Sequence, residues 1–154
     1  MIHFEGVETF DGPPAELFAK LGDAGFLAGC LPDTMVVLAT PDRAEWKVKP
    51  KISFISGTFD TVATVTERNQ GTQLKYRLDT KAVGSGSTVE AVLNFEREGA
   101  GTKVQWTGDI VTLSGLMKLA PKGLVKSTSE KVIADVWAAI RTKLAGNSAS
   151  TSPV

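Results

Sequence analysis

The last regular element of the chain is the stretch PKGLVKSTSEKVIADVWAAIRTKL, residues 121–144, and the elements before it are organised around it. Apolar side chains recur along it at helical spacing, which indicates one amphipathic helix. The stripe comprises Val125, Val132, Val136, Ile140 and Leu144, widened by Leu124, Ile133 and Trp137. Pro121 suits a first helical turn, and Gly146 predicts the end of the helix. At 1.5 Å per residue such a helix is about 36 Å long, so it needs an equally long apolar surface to cover it.

The upstream chain supplies that surface, because it is patterned mainly as β-strands. Strands are predicted over 2–10, 34–40, 44–51, 52–54, 57–67, 73–83, 89–95 and 104–110, with short helices around 17–21 and 24–31. Glycine-containing turns at 69–71, 84–86 and 99–101 join the later strands as an antiparallel meander with one apolar face. These elements predict an α+β helix-grip fold. In it, a curved antiparallel sheet of six to seven strands wraps a long C-terminal helix, with two short helices after the first strand.

Composition narrows the class of protein. The chain of 154 residues is expected to form one domain over 1–145, followed by a disordered tail over 146–154. Its 17 basic and 17 acidic residues balance, so no nucleic-acid partner is expected. A lone Cys30 excludes an internal disulfide, and no apolar run is long enough to span a bilayer. A cytoplasmic protein is the default expectation.

The residues that usually carry chemistry are scarce. His3 is the one histidine, has no metal-binding companion and is expected at a surface or strand edge. Cys30 ends a short apolar helix and is expected to be a small buried hydrophobe. We see no catalytic constellation, no metal site and no cofactor site, and therefore expect a protein that is not an enzyme.

Small residues on the inner faces of the strands predict an internal cavity for an apolar ligand. They are Thr61, Ala63, Thr80, Ala82, Ala91 and Gly108. The predicted walls are Val48, Phe59, Tyr76, Leu93, Trp106, Leu116, Leu119 and Val132, with Tyr76 as the main polar contact. The alternative is that the large aromatic side chains fill this space.

The segment LSGLMKLAPKGLVK, residues 113–126, combines aliphatic side chains, pliant glycines and lysines without acids. It predicts a portal and an edge for docking to a membrane or a partner. The edge comprises Leu113, Met117, Lys118, Lys122, Leu124 and Lys126, with the lysines in one row on a continuous helix. The alternative is an ordinary helix start with solvated lysines.

Four motifs in order resemble one known family. GCLPD (29–33) resembles its G/A-C-x-P-G turn, and KVKPKISFISGTF (47–59) resembles its VKVG…(K/S)GTF strand pair. GTKVQW (101–106) and VTLSGLMKLA (111–120) resemble its GTxVxY and GxLAxLG segments. The family is CoxG, named for a carbon monoxide dehydrogenase subunit, in the START-like, polyketide-cyclase-like (SRPBCC) superfamily. The chain departs from the pattern at Asp33, where the family has glycine, and at 49–51, where KPK replaces valine-glycine-proline.

The resemblance implies the same helix-grip fold. It also implies a carrier or adaptor that holds a lipid or a quinone-like molecule and assists a molybdenum-containing dehydrogenase, by membrane recruitment, electron-acceptor delivery or maturation. Peripheral contact with the inner face of the membrane follows from that role. Two other functions stay open: a cyclase or hydratase of the polyketide-cyclase type, and a protein-binding module like a co-chaperone. The scarcity of inward-facing acids and histidines counts against the first, and the charged outer sheet face counts against the second.

Overall fold

The computed structural model describes residues 2–31, 34–49 and 58–151, with side chains through residue 145. Its elements are β1 (Ile2–Asp11), α1 (Pro14–Leu21), α2 (Ala24–Cys30), β2 (Thr34–Ala39), β3 (Arg43–Val48), β4 (Phe59–Asn69), β5 (Gln73–Ala82), β6 (Ser85–Glu98), β7 (Gly101–Gly115), α3 (Leu116–Leu119) and α4 (Lys122–Thr151). The strands form one antiparallel sheet of seven in the order β1-β7-β6-β5-β4-β3-β2. This confirms the predicted helix-grip fold. The strand predicted over 52–54 lies outside the described residues.

The register of β7 sets which side chains face the long helix. Trp106, Gly108 and Ile110 lie opposite Leu93, Ala91 and Val89 of β6, so all six share the concave face. The ring of Trp106 lies 6.2 Å from the ring of Trp137 on α4, measured between centroids. The alternation predicted for β7 is therefore confirmed, with Trp106 directed at the helix.

Helix α4 packs on the sheet through two separate clusters. Near its start, Val125 packs with Phe4 and Ile110. Near its end, Ile140 joins the main core, which also contains Leu17, Phe18, Leu21, Leu74, Phe95 and Val104. The sequence pattern predicts Val132 on the same buried stripe, but Val132 is half exposed. The side chains of α4 that pack on the sheet lie to one side of Val132 around the helix axis.

The end of α4 differs from its prediction. The helix continues to Thr151, past Gly146, where the sequence predicts that the helix ends. One glycine costs only about 1 kcal/mol relative to alanine in a helix, so it does not by itself end one.

Helix α2 packs on β2, β3 and β4, and helix α1 packs beside it on β6 and β7. Asp23 caps α2 by accepting a hydrogen bond of 3.1 Å from the backbone N–H of Phe26. Ala24 and Ala28 then pack on Ala44, Trp46 and Ala63. The alanines allow close approach between helix and sheet, and this end of the concave face is filled.

Candidate ligand-binding site

A void lies over the middle of the concave face. Gly108 is buried, yet a Cβ atom at this position would meet no atom within 4 Å. Interiors pack at nearly crystalline density, so a buried glycine that faces open space marks a space that the chain leaves unfilled. Ala91 lies directly opposite Gly108 on β6 and adds only a methyl group to the floor of this space.

The side chains around the void are only partly buried, although they point toward the helix. They are Leu78, Thr80, Val89, Ala91, Leu93 and Trp106. Thr61 and Thr80 supply hydroxyl groups on the same face and bond each other at 3.1 Å. The face is therefore apolar with a few polar atoms, as is usual for a site that binds an organic ligand.

Trp106 is held against β1 by a glycine. A Cβ atom at Gly6 would lie 2.6 Å from the indole Cζ2 atom, so any larger residue at this position would displace the ring. The indole Nε1 atom is buried without a hydrogen-bond partner among the described residues. An unpaired buried donor costs about 1–3 kcal/mol, so this N–H group is available to an acceptor atom brought by a ligand or a water molecule.

A groove of about 740 Å³ runs between β1 and α4, on the other side of Trp106. Its apolar lining includes Phe4, Trp106, Ile133 and Trp137, and charged side chains, among them Lys126 and Glu130, also line it. Glu8 and Arg141 line it too and are joined by an ion pair of 3.0 Å. The sequence pattern does not reveal this groove, because it depends on the pairing of β1 with β7 and on the tilt of α4.

The structure separates the eight predicted wall residues into four groups. Trp106 borders the groove, while Val48, Phe59 and Leu93 are partly buried on the concave side of the sheet. Tyr76 is buried in the core beneath α2, and its hydroxyl group donates a 2.6 Å hydrogen bond to the carbonyl oxygen of Leu21. Leu116, Leu119 and Val132 are exposed. Tyr76 is the predicted main polar contact, but its single hydroxyl proton is already used in this bond, whereas the Nε1–H group of Trp106 is unpaired among the described residues.

The predicted docking edge is also rearranged. Met117 is buried and Leu113 is partly buried, whereas Leu116, Leu119 and Leu124 point outward. The reason is local: Gly115 turns the chain at φ +62°, and the single turn of α3 then directs Met117 inward. Lys118, Lys122 and Lys126 are all exposed, but the break at Ala120 prevents one continuous helical row.

Cys30 and His3 are the two side chains of the types that most often act as nucleophile or base. Cys30 packs against the core, and burial raises the pKa of its thiol, although Lys143 opposes the shift. His3 lies at an exposed strand edge, with Nδ1 2.6 Å from a carboxylate oxygen of Asp109. Among the described residues, no group of three or more His, Cys, Asp or Glu side chains is placed to hold a metal ion.

A curved antiparallel sheet of seven strands packed against one long helix defines a START-like fold. Solved structures share this fold at low identity. A conserved protein from Geobacillus kaustophilus aligns with a TM-score of 0.81 and 17% identity, covering 94% of this chain and 96% of that one. A START superfamily protein from Mycobacterium smegmatis aligns with a TM-score of 0.65 and 10% identity, covering 92% and 95%.

The family model for the carbon monoxide dehydrogenase subunit CoxG matches residues 6–145, and the chain belongs to this family. The family is named for a subunit of carbon monoxide dehydrogenase, which supports an accessory role. No curated protein matches the chain. Within 2–31, 34–49 and 58–151, no helix is both long and apolar enough to cross a membrane.

Proposed function

We propose that this protein is a carrier that holds a lipid or a quinone-like molecule between the sheet and α4 and assists a molybdenum-containing dehydrogenase. The observation that carries the proposal is the open space above the buried Gly108. An apolar ligand gains about 25 cal/mol for each Å² of apolar surface that it removes from water, so an unfilled apolar space of this kind favours occupancy.

The aromatic side chains support a ligand with a ring or a carbonyl group at one end. Trp106 lies two residues from Gly108 on the same face of β7, and its ring offers a face that stacks on planar groups. The unpaired Nε1–H group of Trp106 is a donor only, so it favours a ligand that presents an acceptor oxygen. Val48, Phe59, Leu93 and the partly buried concave side chains would contact the ligand's aliphatic part.

The mouth of the carrier is proposed to lie at residues 113–126. Leu113 and Met117 anchor this segment inside, so Leu116, Leu119 and Leu124 are the side chains free to meet a bilayer, with Lys118, Lys122 and Lys126 beside them. Delivery to or from the membrane would then place the ligand within reach of the partner dehydrogenase. This role would put the protein in the cytoplasm, in peripheral contact with the membrane.

Native mass spectrometry of protein purified without detergent tests the carrier function. We expect the wild type to retain an apolar molecule from the expression host, or to take up added menadione or dodecanol. Ala91→Trp and Gly108→Leu should each remove this signal while leaving the fold intact, because both fill the space. Gly29→Leu is the matched control, since Gly29 is exposed and its Cβ would also meet nothing. Equal uptake by Gly108→Leu and Gly29→Leu would place the ligand elsewhere.

A further inference from the structure

The turn between β5 and β6 carries an apolar side chain that is not packed in the core. Val83 is 87% exposed at the end of this hairpin. On α3 and the start of α4, Leu119, Leu116 and Leu124 are 80%, 52% and 40% exposed. Single exposed aliphatic residues are ordinary, but several at one end of a molecule mark an interaction surface.

Backbone contacts join the hairpin to α3. The N–H group of Leu116 donates to the carbonyl oxygen of Gly84 at 3.0 Å, and Ser85 lies opposite Gly115 in the sheet. A Cβ at Gly115 would clash with the carbonyl of Gly84, so glycine is required where the two segments meet. Val83 and Leu116 therefore project from one continuous end of the molecule, which we call the tip: residues 81–85 with 116–126.

The charge of the tip has one sign. Lys81, Lys118, Lys122 and Lys126 are all exposed. The two stretches that supply them, 80–89 and 110–129, contain no aspartate or glutamate, although acids and bases balance over the whole chain. Lys81 lies opposite Asp60 on β4 and interacts electrostatically with Asp79, so its charge is partly compensated, whereas the three lysines of 116–126 come from a stretch without acids. Aliphatic side chains beside exposed lysines are complementary to an anionic lipid bilayer, which accepts apolar groups below a negatively charged surface.

We propose that the β5–β6 turn is the second half of a membrane-docking tip, in which Val83 inserts beside Leu116 and Leu119 while Lys81 meets lipid phosphates. The inference rests on the proposed membrane-facing mouth, and it adds a segment that lies about thirty residues earlier in the chain. Two inserted segments would orient the molecule on the bilayer, because contact at a single helix leaves rotation about that helix free.

Cosedimentation with phosphatidylcholine vesicles, with and without phosphatidylglycerol, tests the proposal. We expect the wild type to bind the anionic vesicles, and added salt to weaken that binding. Lys81→Gln should weaken it about fivefold, since each lysine near such a surface is worth about 1 kcal/mol. Val83→Ser should weaken it by a similar factor with little change in salt dependence. Lys131→Gln and Val7→Ser are the matched controls, because both residues are exposed outside the tip.

A positional readout separates insertion from general attraction. An environment-sensitive dye on Val83→Cys, in a Cys30→Ala background, should shift to the blue on anionic vesicles, whereas the same dye on Val7→Cys should not. If Lys81→Gln and Val83→Ser bind like the wild type while Leu119→Ser does not, the hairpin inference is overturned and the proposed mouth stands. If the wild type binds neither vesicle type, the proposal of a membrane-facing mouth is overturned as well. Ligand retention still tests the carrier function independently.

Discussion

Tyr76 combines a buried ring with a fully used hydroxyl group. It is the one tyrosine of the chain, and its hydroxyl donates to the carbonyl of Leu21, which ties α1 to the sheet. Burial raises its pKa above the ordinary 10.0; the Arg68 charge opposes this shift. The neutral form is therefore strongly favoured in the folded protein. In the unfolded chain the phenol ionises near its ordinary pKa, so folding stability is unaffected below that pH and falls above it.

Comparison of the wild type with Tyr76→Phe checks this linkage. The wild-type free energy of unfolding should fall by about 1.4 kcal/mol per pH unit above about pH 10 through this group, and Tyr76→Phe should lack that component. At neutral pH the variant should be less stable by about 1–3 kcal/mol, because the carbonyl of Leu21 loses its donor. Urea unfolding at about pH 7.5, 9 and 11 gives both quantities. A stability difference that stays constant across this range would contradict the buried, neutral phenol. Other titrating groups cancel in the difference.

The strands of the meander were predictable because their alternation is strict. In β7 the residues Val104, Trp106 and Gly108 repeat with period two, and the structure places them on the concave face as expected. Segment 113–124 has no such period, since the chain passes from strand to a single helical turn and then to α4. There the sequence assigns Leu116 and Leu119 inward and Met117 outward, and the structure has the reverse. The direction depends on the positive φ of Gly115, which no periodic pattern specifies.

Helix α4 allows two valines in different environments to be compared within one element. Val125 and Val132 are the same residue type seven positions apart, yet they are 8% and 50% exposed. Helical periodicity alone ranks them as equivalent. Their environments differ because Val125 packs on Phe4 and Ile110, whereas Val132 lies at the margin of the buried stripe.

The two valines should therefore respond differently to the same substitution. Val125→Ala should lower the free energy of unfolding by about 2 kcal/mol, which combines the lost burial of two methyl groups with the cavity left behind. Val132→Ala should change it by about 0.5 kcal/mol or less, as is usual for a surface position. Denaturant midpoints at constant slope give both values. Equal losses would mean that the stripe of α4 is centred on Val132, as the sequence pattern alone suggests.

Helix α4 is fixed to the sheet at two places along its length. Val125 is held by the cluster around Phe4, and Ile140 by the main core with α1. Between these clusters the sheet presents the small residues Ala91 and Gly108. The core thus supplies stability at two places and leaves the space above Gly108 unfilled. Ligand binding should then add to folding stability without requiring the fold to form around it.

Thermal unfolding with and without added ligand tests this arrangement. At a free concentration about 100 times the dissociation constant, a ligand that binds only the folded state adds about 2.7 kcal/mol. For a domain of this size that corresponds to a rise in Tm of about 5–10 °C. Menadione and dodecanol, tested separately, distinguish a ring-bearing carbonyl ligand from a simple aliphatic one, and the unpaired N–H of Trp106 predicts the larger rise for menadione.

Gly108→Leu should keep or raise the Tm of the free protein, because it adds a side chain to a strand, but should abolish the ligand-dependent rise. Gly29→Leu should retain that rise. If Gly108→Leu shows the same rise as the wild type, the ligand does not occupy the space between the two clusters.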